Sequence, residues 1–310
     1  MSRLVIGNLA AEIDMARAAT PGPHPDVSPA ALQLIRRHAQ RLSVFADRLW
    51  LPGDPWPPQG ASEILAWAET DSIAALRASS SPVARRLLPV ASRLFSESVW
   101  GLVPDPATAR RCNHRAFAFN LAHANGWSLP GARLITSLDE LPRDSHQWIA
   151  KAPFSAAGRE RVRFTGSEHR TRLARLLARF GALLVEPWVD RVLDLGCAGL
   201  VGDTVRLFPP HRLDIERSGV FRAAVIDDSG ATIAHPTFLT EVVDTAATAG
   251  DALRAAGYRG PFSIDAYLWR DEAGAPRLQR LSEINARLTF GLVARAAAER
   301  AGGGKYELRL

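Results

Sequence analysis

Two strand-length runs near the C-terminus, Phe262 to Trp269 and Arg277 to Asn285, flank the turn-forming stretch Asp271-Glu272-Ala273-Gly274. A run, turn and run of this kind commits that part of the chain to an antiparallel hairpin. On the second run Glu283 and Asn285 are two residues apart, so the strand period puts both side chains on one face. Asp265, on the first run, can pair opposite that region. Two carboxylates and an amide oxygen on one face suit Mg²⁺, a hard cation, when phosphate oxygens and water fill its remaining positions. The competing reading is the polar face of an exposed sheet.

The chain has 310 residues, 47% of them apolar and 23% charged, enough for two or three packed subdomains. Glu12 and Asp14 arrive before any long apolar run, which argues against a secretory signal. No uninterrupted apolar stretch nears the roughly 18 residues of a membrane span, so the cytoplasm is the expected address and no membrane partner is expected. Cys112 and Cys197 lack metal-ligand or disulfide spacing and are expected to be buried. The net charge of +6 raises nucleic-acid binding, but the arginines are scattered and no basic motif is interleaved with aromatics, so no nucleic-acid partner is expected. The basic residues are nearly all arginine. Only Lys151 and Lys305 are lysines.

Upstream, the pattern predicts a strand at Leu4 to Gly7, a helix over Pro29 to Leu42, a strand near Arg48 to Leu51, and helices over Ala61 to Leu76 and Pro82 to Phe95. Val5-Ile6-Gly7-Asn8 lacks the further glycines of a dinucleotide fingerprint. One amphipathic helix is predicted from Ala107 to Ala124. Strands follow at Ala132 to Ile135 and Trp148 to Ala152, the latter opening into a small-residue loop, Pro153-Phe154-Ser155-Ala156-Ala157-Gly158-Arg159. A helix over Ser167 to Phe180, a strand Ala182 to Val185, a block of strands over Asp194 to Ile233 and a helix over Thr240 to Ala256 complete the middle. Asp227-Asp228-Ser229-Gly230 reads as a hairpin closure. A helix over Gly291 to Arg300 precedes a tail, Gly302-Gly303-Gly304-Lys305, predicted to be flexible.

Glu283-Ile284-Asn285-Ala286-Arg287 resembles the Glu-x-Asn-x-Arg metal motif of the ATP-grasp superfamily, and Gly260 to Ala266 is similar to the strand that delivers its first acidic ligand. Trp148 to Lys151 with the loop beyond it resembles the strand and loop that meet ATP phosphates. Leu184-Val185-Glu186-Pro187-Trp188-Val189 resembles the hinge that reads adenine. The likeness covers roughly residues 106 to 300.

That resemblance implies an α/β (α+β) ATP-grasp fold of the carboxylate-amine/thiol ligase type: an α/β domain over 1–105 and an ATP-grasp domain over 106–310, divided into a lid at 106–189 and a metal-binding part at 190–310. It implies Mg²⁺ or Mn²⁺ on Asp265, Glu283 and Asn285, with ATP held by Lys151, Ser155, Gly158 and Arg159. Glu186 would accept from adenine, with Trp188 or Val189 giving the hinge amide, and Asp190 or Asp194 would take ribose. Relatives carry a second phosphate lysine where this chain offers His114 or Arg115. Lys151 and Arg287 are the expected catalytic groups, Arg287 by orienting the acceptor carboxylate or stabilising an acylphosphate. The alternative for Arg287 is an ion pair with Glu283. The implied reaction joins a small carboxylate to an amine through an acylphosphate, with a kinase, a carboxylase or a nucleotide-binding protein without turnover as alternatives and a homodimer left open. No motif names the acid.

Overall fold

The computed structural model describes residues 3–20, 27–46, 48–55, 63–79, 98–155, 160–216, 220–230 and 233–310. The expected helix over Pro82 to Phe95 lies outside them.

Three sheets organise the chain. The first is parallel, with β1 (Arg3–Ile6) between β2 (Arg48–Trp50) and β3 (Glu63–Ala66). Helices α1 (Ala11–Ala19) and α2 (Pro29–Ala39) connect β1 to β2, with a 3-10 turn at Gln40–Val44. Residues 61–76 are therefore not one helix: Glu63 to Ala66 pairs with β1, and α3 starts only at Asp71 (Asp71–Ser79). Glu, Leu and Ala are good helix formers locally, and the open edge of β1 overrides that preference.

The expected single helix over Ala107 to Ala124 is two, α4 (Pro106–Asn113) and α5 (Arg115–Ala124). His114 breaks it by adopting an extended ψ of 128°, and its Nδ1 accepts the N–H of Ala116, capping α5. The break turns Arg115 away from the line of α4.

The second sheet is antiparallel, in the order β4 (Arg133–Ile135), β7 (Leu183–Pro187), β5 (Gln147–Lys151), β6 (Arg161–Thr165). Helix α6 (Arg170–Phe180) packs against β7, burying Leu173, Leu176, Leu177 and Phe180.

The third sheet is also antiparallel and carries the C-terminal hairpin. Its order is β13 (Pro276–Asn285), β12 (Gly260–Arg270), β8 (Asp190–Val201), β10 (His211–Ile215), β11 (Phe221–Asp227) and β14 (Lys305–Arg309), with β9 (Val205–Leu207) paired to the far end of β8. Helix α7 (Pro236–Ala255) packs on β8, β9, β12 and β13, and α8 (Phe290–Arg300) on β11 and β14. Two expectations fail here. Asp227 to Gly230 leads toward α7 instead of closing a hairpin, with Asp227 accepting from the amide and hydroxyl of Ser229. The glycine-rich tail ends as β14, because the free edge of β11 takes residues 305–309 in register. Both cysteines are buried, as expected.

No helix among the described residues is long and apolar enough to cross a membrane. One apolar cluster joins the first sheet to the third, from Val5, Leu42 and Trp67 to Leu288, Leu292 and Ile226. Central β8 is pinned at Gly199, where a Cβ would stand 2.6 Å from the Arg206 carbonyl and 2.7 Å from the Phe262 ring. Gly199→Ala is expected to lose about 1–3 kcal/mol of stability in denaturant unfolding, since backbone must move to admit a methyl group.

Candidate functional site

Register places the hairpin carboxylates face to face. Asp265 is the direct cross-strand partner of Glu283, and Ser263 is the partner of Asn285. Asn285 donates its amide N–H to Asp265 Oδ2 at 3.3 Å, which leaves the amide oxygen as its open end. Burial, reinforced by the facing charge of Glu283, pushes Asp265 up to about 7, while Arg287 and the Asn285 hydrogen bond pull the other way. Two carboxylates this close disfavour double ionisation unless a cation is near. Among the described residues no three His, Cys, Asp or Glu side chains gather as a metal cage, so a cation at the pair would take its other ligands from Asn285, water or a bound anion.

Cations converge on that pair. Arg115, at the start of α5, is buried and holds Glu283 at 3.3 Å. Its Nε donates to the Ala152 carbonyl and its Nη2 to Ser155 Oγ, both at 3.0 Å, so one guanidinium ties the start of the small-residue loop to the Glu283 carboxylate. Of the two residues expected in place of a lid lysine, Arg115 therefore reaches the site, whereas the His114 ring caps α5 and packs on Phe154. Ser155 sits at the mouth of the loop; Gly158 and Arg159 lie outside the described residues.

Lys151, at the end of β5, is buried and ion-paired with Glu186 of β7. Burial lowers the Lys151 pKa, and the Glu186 charge opposes that. Two opposite charges in a dry site hold one another, so Lys151 and Glu186, expected at phosphate and at adenine, are paired with each other here. One hinge expectation is corrected: the Trp188 amide donates to the Gln147 carbonyl at 2.8 Å and is not open to a ligand. The Trp188 ring lies 3.9 Å beneath the guanidinium of Arg163.

Further charged groups near Lys151 escaped motif reading. Arg161 is the cross-strand partner of Lys151, and its pKa is lowered by burial and by the neighbouring charges of Arg191, Arg115 and Arg163. Arg191 stacks 3.7 Å from the Tyr267 ring and pairs with Asp194 at 3.2 Å. Asp194 is raised by burial and lowered in part by Arg191, and it faces Tyr267 across β8 and β12. Asp190 is exposed. The alternating arginines 159, 161 and 163 were the visible signal for Arg161; nothing in the sequence placed Arg191 on Tyr267.

Arg287 does not make the alternative ion pair with Glu283. Its Nη2 pairs at 2.6 Å with Glu12 Oε1 from α1, not with Glu283, and its Nη1 donates to the Leu288 carbonyl at 3.0 Å. Of the scattered arginines, Arg222 pairs with Glu216 and Arg206 meets Ser98 and Phe208, while Arg85 and Arg86 lie outside the described residues.

No family model matches the sequence, and no curated protein matches it. Solved structures do match. The biotin carboxylase domain dimer of the 2-oxoglutarate carboxylase of Hydrogenobacter thermophilus, in complex with MgADP, ADP and bicarbonate, gives a TM-score of 0.56 at 14% identity, over 100% of this chain and 70% of that one. N5-carboxyaminoimidazole synthetase from Staphylococcus aureus with ADP gives 0.52 at 10% identity, over 94% and 71%. A structure described as an ATP-grasp superfamily protein from Archaeoglobus fulgidus gives 0.50 at 16% identity, over 100% and 92%. The chain has the ATP-grasp fold.

A carboxylic acid with a raised folded pKa stabilises the fold fully below its unfolded value and loses that contribution as pH rises through the folded one. For Asp265 the window runs from the ordinary aspartate value of 3.8 to about 7. Asp265→Asn is therefore expected to raise Tm of the metal-free protein at pH 8 relative to wild type, with the gain shrinking toward pH 4. Thermal denaturation across that range checks it.

Proposed function

We propose that this chain is an Mg²⁺-dependent ATP-grasp ligase that joins a small carboxylate to an amine through an acylphosphate. The observation that carries the reading is the facing Asp265–Glu283 pair, with Arg115 on Glu283 and Lys151 near enough to feel the Arg115 charge. On this reading the 1–105 segment precedes the nucleotide-binding part, 106–189 forms the lid and 190–310 the metal-binding part.

Asp265, Glu283 and the Asn285 oxygen would hold the metal, Mg²⁺ or Mn²⁺, and the charge they carry fits a divalent ion. When bound, Mg-ATP would supply the phosphoryl group that activates the acid. Arg115 orients Glu283 and the loop entrance together, so the metal face and the phosphate face stay in register. Lys151 and Arg161, side by side across β5 and β6, give the phosphates a cationic wall. Exchange of Lys151 from Glu186 to phosphate would release the carboxylate that adenine needs. Glu186 retains Oε1 for that purpose, and Val189 supplies the hinge amide.

Mg-ATP binding measured by calorimetry is expected to fall by roughly ten- to hundredfold on Glu283→Ala, since a charged contact worth a few kcal/mol is removed. A protein that binds no Mg-ATP, or whose Glu283→Ala variant binds it equally well, overturns the reading. ADP release that requires both an acid and an amine identifies the ligase; release with an acid alone identifies a kinase.

A further inference from the structure

A cavity of about 540 Å³ runs along α4 and α5 on either side of His114. None of its lining among the described residues belongs to the hairpin that carries Asp265 and Glu283. The volume falls within the roughly 300–1,000 Å³ of small-molecule sites. Room comes from small side chains: Ala107 on α4, Ala116 on α5 and Ala19 at the end of α1 border the space, and Phe117 and Phe154 wall it with aromatic rings.

The polar groups of the cavity are donors. Burial, with the Arg115 charge, lowers the His114 pKa and keeps that ring neutral. Its Nδ1 accepts the Ala116 amide, so the ring proton stands on Nε2, which has no hydrogen-bond partner among the described residues. Arg110 and Arg111 supply charge, and no carboxylate lines the cavity among the described residues. Asp71 neutralises Arg110 at 2.7 Å. Arg111 is in no ion pair among the described residues: its Nη2 donates to the Ala256 carbonyl at 2.6 Å and to Thr108 Oγ1 at 3.4 Å, which leaves Nε and Nη1 open. Asp105 feels the Arg111 charge, but its Oδ2 accepts the Thr108 amide.

One unpaired positive charge beside an apolar hollow selects the ligand. A cation is repelled by Arg111, an ammonium group finds no acceptor on His114 Nε2, and a doubly charged phosphate exceeds the one charge that Arg111 can balance. A monocarboxylate on an apolar body meets both walls. Its two oxygens can accept from Arg111 Nε and Nη1 as a fork, and its body takes apolar surface out of water against the alanines and phenylalanines. We propose that this cavity is a binding site for a small monocarboxylate with an aromatic or aliphatic body, separate from the proposed metal site. His114 and Phe154 directly precede Arg115 and Ser155, which hydrogen-bond to one another, so the ligand rests against the anchor of the loop after β5. Binding there does not rest on the ligase reading.

Calorimetry on the full chain with 3-phenylpropionate, 3-phenylpropionamide and acetate is the test. The phenylpropionate is expected to bind at least roughly tenfold tighter than the amide, which lacks the charge, and than acetate, which lacks the body. Arg111→Gln is expected to weaken the phenylpropionate by roughly tenfold and to leave the amide unweakened, and the ratio of the two within each variant cancels any loss of folded protein. Ala116→Leu keeps a good helix former on α5 and fills the hollow, so it is expected to weaken acid and amide alike by at least roughly tenfold. Absence of phenylpropionate binding, equal binding of acid and amide, or a ratio unchanged by Arg111→Gln overturns the proposal. Binding untouched by Ala116→Leu places the acid elsewhere and overturns it as well. A protein that binds the acid but no Mg-ATP overturns the ligase reading alone.

Discussion

Asp265 and Glu283 face each other across β12 and β13, and the repulsion between two carboxylates organises everything around them. In its buried place Asp265 feels the Glu283 charge, which with burial raises its pKa. Asn285 donates one hydrogen bond to Asp265, and Arg115 answers Glu283 from a helix start that exists only because His114 interrupts α4 and α5. The same Arg115 reaches Ala152 and Ser155, so neutralising the hairpin also anchors the entrance of the loop after β5. A single buried arginine thus couples the second sheet to the third.

The second buried pair, Lys151 with Glu186, is of a different kind. Removing one member of such a pair strands the other's charge in a dry site, whereas exchanging partners keeps both satisfied. A polyanion offered to Lys151 and a hydrogen-bond donor offered to Glu186 would do this together, which makes the pair a resting arrangement suited to a nucleotide. Arg161 and Arg191 add positive charge around it, and their mutual repulsion is relieved by any anion that enters.

The hairpin was legible because its information is local. A four-residue turn fixes which runs pair, and period two then puts Asp265, Glu283 and Asn285 on one face. The scarcity of lysine marked Lys151 for a similar reason. What escaped depends on contacts distant in sequence. Glu12 carried no signal beyond its charge, and only the docking of the first sheet brings it to Arg287. Residues 63–66 read as helix because Glu, Leu and Ala favour helices, and the β1 edge decided otherwise. Trp188 had the right position for a hinge amide, but its N–H went to Gln147, a neighbour that only the pairing of β5 with β7 supplies.

The central claim is that the facing carboxylates hold the metal of a bound nucleotide. A crystal of the protein grown with Mn²⁺ and a non-hydrolysable ATP analogue tests it directly through the anomalous signal of the metal. The account predicts a manganese peak between Asp265 and Glu283, at about 2.1 Å from a carboxylate oxygen of each as for comparable hard divalent ions, with the phosphates on its other side toward Lys151 and Arg161. Nucleotide bound elsewhere, or manganese held away from both carboxylates, would contradict it.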